Sequence, residues 1–173
     1  MKKILSYSIL GAVTVAAVLL SASIGMLIPQ AAYAWGQCCP NGFMTGGGSV
    51  FTSDGTRVTH GFELHCDANK APNNLEINWG PGNRFHLENL VSADCFYDPS
   101  INPSPPPADF NTYIGKGTGN YNGIPGATAK WKFTDAGEPG THDYAKIVII
   151  DANGNTVLSV AGFLDHGNQQ AHK

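Results

Sequence analysis

Basic residues are scarce in this 173-residue chain, with 10 Lys and Arg against 13 Asp and Glu and a formal net charge of −3. Phosphate backbones and anionic bilayers are held chiefly by clustered Lys and Arg, so the balance argues against nucleic acid and against a charged membrane surface as partners. Blocks of like charge are absent, which removes the signature of a disordered interaction tail. No Gly-x-Ser-x-Gly elbow is present, and Ser, His and Asp are scattered without catalytic spacing. Beyond Ala34 no segment carries a helical period, and the only methionine there is Met44, which leaves no late Cys-His-Met cluster for blue copper.

What is present begins with an export signal. Lys2 and Lys3 precede the apolar run Ile9 to Leu20, and Ala32-Tyr33-Ala34 places small residues where a signal peptidase cuts, so residues 1–34 are read as a signal peptide cleaved before Trp35. An uncleaved anchor is the alternative, because Ile4 to Ile28 is uncharged and long enough to span a bilayer. Only in that case would the chain contact a membrane. Removing Lys2 and Lys3 leaves eight basic against thirteen acidic residues. The remainder divides into an N-terminal arm, 35–45, and a single β domain, 46–173.

The domain reads as all-β. Val58, His60, Phe62, Leu64 and Cys66 alternate with Thr59, Glu63 and His65, and Ala127, Ala129, Trp131 and Phe133 alternate with Thr128, Lys130, Lys132 and Thr134, the period-2 pattern of half-buried strands. Gly80-Pro81-Gly82-Asn83 and Asp151-Ala152-Asn153-Gly154-Asn155 are hairpin connections. Eight strands are predicted, at about 46–52, 57–66, 74–79, 84–91, 110–119, 127–134, 143–150 and 156–164. Short links favour an antiparallel meander, closed as a β-barrel or, alternatively, folded as a β-sandwich.

A meander puts alternate connections at opposite ends. The long links Asp67–Asn73, Ser92–Asp109 and Asp135–His142 then share one end with the N-terminal arm, and binding function is expected there. Cys38, Cys39, Cys66 and Cys95 fall at the same end, and an even count in an exported chain reads as a disulfide framework. A Cys38–Cys39 bond needs a strained ring, so each is expected to pair with Cys66 or Cys95.

Candidate ligating groups are few. Asp135, Glu138 and Asp143 flank one loop and are the oxygen types calcium takes, although a tight turn is the reading such residues favour. His65 beside Cys66 offers zinc or copper ligand types without diagnostic spacing, and His60 reads as a packed residue against Phe62. Trp35, Phe96, Tyr97 and Phe110 crowd the long-loop end and suit contact with sugar or protein, with core packing as the alternative. Ser104-Pro105-Pro106-Pro107 is read as a stiff loop, with a polyproline ligand as the alternative.

Gly46-Gly47-Gly48-Ser49, Gly61-Phe62, Asp135-Ala136-Gly137-Glu138-Pro139-Gly140 with Asp143, Gly162, Gly167-Asn168 and His172-Lys173 together resemble the post-COAP domain of secreted and cell-surface prokaryotic proteins. The resemblance implies a compact β module and brings no catalytic residues with it. The chain is accordingly expected to be a secreted, disulfide-stabilised module with a non-enzymatic binding or structural role. Its expected partner is an extracellular protein or carbohydrate, and no cofactor is expected. A zinc- or copper-binding protein is the alternative, and a hydrolase the third reading.

Overall fold

The computed structural model describes residues 39–101 and 108–173. The expected signal peptide, Trp35, Cys38 and the Ser104–Pro107 stretch lie outside the described residues. The rest forms one antiparallel sheet of nine strands: β1 (Phe43–Phe51), β2 (Arg57–His65), β3 (Asn74–Trp79), β4 (Asn83–Phe96), β5 (Thr112–Tyr121), β6 (Ile124–Thr134), β7 (Tyr144–Ile150), β8 (Thr156–Phe163) and β9 (His166–His172). Their order across the sheet is β8-β7-β6-β5-β4-β3-β2-β1-β9. The meander holds from β1 to β8, because each strand is followed by a link that returns it beside its predecessor.

Two expectations are corrected. There are nine strands rather than eight, and the sheet is an open half-barrel rather than a closed barrel or a sandwich, since β8 and β9 are edges that share no ladder. The ninth strand, His-Gly-Asn-Gln-Gln-Ala-His, has no apolar alternation to announce it. It forms because the chain, after β8, crosses to the far edge: Leu164 N–H donates to Asp143 O (2.9 Å) and Asp165 N–H to Ser49 O (2.8 Å), and β9 then runs antiparallel to β1. The first strand also starts earlier than expected, at Phe43, so the end of the 35–45 arm already belongs to the sheet.

The concave face of the sheet holds the core. Met44, Leu64, Leu75, Ile77, Phe85 and Phe133 are fully buried there, each on the apolar side of a period-2 strand. Phe62 and Phe133 stack with ring centroids 4.3 Å apart, and His60 stacks on Phe133 at 5.0 Å and on Phe62 at 6.0 Å.

The fourth strand is the longest, and its far half curls. Its pairing with β3 stops at Glu76↔His86, while its pairing with β5 continues to Phe96↔Thr112 through register shifts at Leu87/Asn89 and Leu90/Ser92. Bulges of this kind bend a strand and raise its twist. The bend carries Cys95 past the end of β3 to Cys66, and the two form a disulfide with Cα atoms 5.6 Å apart.

Candidate functional site

The expected rim exists, with different wiring. Cys66 and Cys95 bond to each other, whereas each was expected to take one of the adjacent cysteines. The reason is the curl of β4, which the short third strand does not shield. Cys39 is disulfide-bonded as well. Around this staple the loops are tied by hydrogen bonds. Cys66 N–H donates to Gly42 O (2.9 Å), buried Tyr113 Oη donates to His65 O (2.9 Å), and Lys70 Nζ donates to Pro40 O (2.9 Å) and Asn41 Oδ1 (2.7 Å). A shallow depression of about 240 Å³ remains, bounded by Cys39, Asn41, Asp109, Phe110, His172 and Lys173.

The aromatics named for ligand contact separate here. Phe110 is fully buried in the core, Phe96 is half-buried, and Tyr97 is exposed.

The three acids Asp135, Glu138 and Asp143 do converge, and they converge on β9. Asp143 Oδ2 accepts the Gln169 N–H (2.6 Å) and its Oδ1 the Ala136 N–H (2.8 Å). Asp135 Oδ2 accepts the Ala171 N–H (2.9 Å) and its Oδ1 the Gly137 N–H (2.9 Å). Glu138 Oε1 accepts from Asn168 Nδ2 (2.7 Å) and Gln170 Nε2 (3.3 Å). Gln169 and Ala171 point their amides away from β1, where an edge strand would leave them unpaired. The carboxylates stand in for the carbonyls of a missing strand, so their lone pairs serve the fold. Among the described residues no group of three His, Cys, Asp or Glu side chains is arranged to hold a metal ion. His65 sits elsewhere, its Nδ1 2.8 Å from Pro72 O.

The seam requires close backbone approach. A Cβ on Gly140 would lie 2.4 Å from Gly167 O, and one on Gly167, whose φ is +118°, would lie 2.1 Å from Gly47 O. Gly47 and Gly48 of β1, Gly140 of the loop and Gly167-Asn168 of β9 thus meet in this one place.

Behind the seam Gln169 is fully buried. Its Oε1 accepts the Thr134 N–H (3.0 Å), which turns its amide NH₂ toward His60 Nε2 at 3.1 Å. An NH₂ only donates, so Nε2 accepts and the ring proton sits on Nδ1, which has no partner among the described residues. Burial pushes the His60 pKa down to about 4 and keeps the ring neutral. Burial pushes Asp143 up to about 7, helped by the neighbouring charges of Asp135 and Glu138 and opposed by its two backbone donors. Two titratable groups are thereby linked through one glutamine, and both are enclosed.

The convex face carries a second surface. Lys116 of β5 stands opposite Lys130 of β6, and Lys132 of β6 stands opposite Lys146 of β7. These residues line a groove of about 520 Å³ together with Ile114 and Val148. Lys130 and Lys132 were visible as the polar side of a strand. Their meeting with Lys116 and Lys146 needed the sheet order, and Lys-x-Lys opposite Trp131 was the one available signal.

No family model, curated protein or solved structure matches the chain.

Proposed function

We propose that this protein is an exported, disulfide-braced β module with a non-enzymatic binding or structural role at the cell surface or in the extracellular matrix, and that it recognises its partner on its surface. The Cys66–Cys95 bond carries this reading, because such a bond joining two strand ends persists in oxidising compartments and not in a reducing cytosol. The leader-like residues 1–34 and the post-COAP-like motifs point the same way. The enclosed placement of Asp143 and His60 supports a structural rather than a catalytic use of the most perturbed titratable groups.

Expression of the full chain in a bacterial host, followed by fractionation and N-terminal sequencing, tests the reading. Recovery outside the cytoplasm with Trp35 as the first residue is expected. Retention of the intact chain in the cytoplasm would overturn it.

A further inference from the structure

Half of the basic residues that follow Ala34 stand on one patch of the convex face, although the chain is acidic overall. The register lays out the pattern. One cross-strand row runs Ser92–Lys116–Lys130–Val148, and the next runs Asp94–Ile114–Lys132–Lys146. Facing side chains in such rows start about 5 Å apart, and like charges directly opposite one another destabilise a sheet. Here two such oppositions lie side by side. Lys132 has Asp98 at 3.5 Å, whereas Lys116, Lys130 and Lys146 make no ion pair among the described residues. No Asp or Glu occurs between Asp109 and Asp135, so β5 and β6 bring no acid of their own to the patch. An arrangement that costs the free fold and leaves three of its four lysines without an ion pair among the described residues points to an anion supplied from outside.

The shape of the surface selects among anions. The 520 Å³ groove shares Lys132 and Lys146 with a second depression of about 560 Å³ that reaches Tyr144 and Phe163. Those two rings meet edge to face, with centroids 5.8 Å apart, and Phe163 is 70% exposed. Exposed aromatic faces beside cations suit pyranose rings that carry carboxylates or sulfates. Two adjoining depressions that share Lys132 and Lys146 suit a linear chain laid across both. We infer that the convex face of β5, β6 and β7 is a binding site for a linear anionic polysaccharide, with the lysines on its acid groups and Tyr144 and Phe163 against its sugar rings. This deepens the surface-binding role proposed above and rests on it.

Native electrophoresis of the purified, oxidised protein through gels containing polygalacturonate tests the inference. Retardation is expected in polygalacturonate and not in dextran, and it should vanish near 1 M salt, where the screening length falls to about 3 Å. Lys130→Gln/Lys132→Gln should weaken binding about tenfold, the change expected when roughly 1.4 kcal/mol of contact is lost. The Arg replacements at the same positions should retain binding, and Lys70→Gln/Lys173→Gln should leave it unchanged. The glutamine pair should melt no lower than the parent, since it relieves like-charge opposition. Equal retardation of parent and glutamine pair would overturn the site. So would absence of retardation at low salt, or preferential binding to phosphatidylglycerol vesicles or duplex DNA. Failure here with an exported, oxidised protein removes the polysaccharide alone, whereas a cytoplasmic, reduced protein removes the module reading itself.

Discussion

The Asp143 carboxylate accepts the backbone N–H of Gln169 at 2.6 Å and so takes the place of a neighbouring strand at the edge of the sheet. With Asp135 doing the same for Ala171, the loop between β6 and β7 seals a half-barrel that backbone pairing leaves open. The arrangement explains why a polar heptapeptide, His166–His172, forms a strand. It also covers part of an edge that would otherwise template pairing with another chain.

Removing the carboxylate should expose that dependence. Asp143→Ala strands the Ala136 and Gln169 amides, and at about 1–3 kcal/mol per buried unsatisfied donor the loss should total roughly 2–6 kcal/mol. Asp143→Asn keeps one acceptor and should lose about half as much. Urea denaturation at neutral pH measures both.

The two buried titratable groups should act in opposite directions with pH. Asp143 has a folded pKa of about 7, above its ordinary 3.8, so between these values the folded state holds a proton that the unfolded chain has released. Its contribution therefore favours folding increasingly as pH falls from 7. His60 has a folded pKa of about 4, below its ordinary 6.5, so the unfolded chain binds the proton first and stability falls as pH drops through 6.5. In Asp143→Asn, stability should decline from neutrality toward the His60 folded value. In His60→Gln it should rise over the same interval. Denaturation midpoints for the two variants at a series of pH values should diverge.

The disulfide closes a loop with a sequence separation of 29 residues. Cys66→Ala/Cys95→Ala should cost about 2–4 kcal/mol of unfolding free energy. The loss should appear as a lower denaturant midpoint, and reductant should have less effect on this variant than on the parent.

Close approach at the seam should make small substitutions expensive. Gly167→Ala puts a Cβ against Gly47 O in a backbone region that disfavours side chains, with an expected loss of order 1–3 kcal/mol. Gly162→Ala in β8 meets nothing within 4 Å and should change stability by less than about 0.5 kcal/mol. Thermal melts of the pair provide the comparison.

Much of the sheet was legible because its inner face obeys strict alternation. Val58 to Leu64 and Ala127 to Phe133 bury every second residue, and the Asp151 hairpin forms as its composition implies, with Asp151 Oδ1 accepting from Asn153 and Asn155. The ninth strand escaped because its burial rests on Gln169 and Ala171, held by carboxylates remote in sequence. The Cys66–Cys95 pairing escaped because it depends on bulges in β4, and register shifts leave no compositional mark. The turn reading of Asp135 and Asp143 was half of their role. Each bonds an amide within its own loop, as a turn residue does, and its second oxygen reaches a strand 26 to 36 residues away. Beyond Lys130 and Lys132 the lysine patch escaped for the same reason as the seam: it is assembled from three strands whose order only the fold provides.

The central claim, an exported module braced by oxidised cysteines, is tested most directly by non-reducing peptide mapping of protein recovered from outside the cytoplasm. A cross-linked peptide pair containing Cys66 and Cys95 that separates on reduction is expected. Recovery of either cysteine as a free thiol, or of Cys66 linked to Cys39, would contradict it.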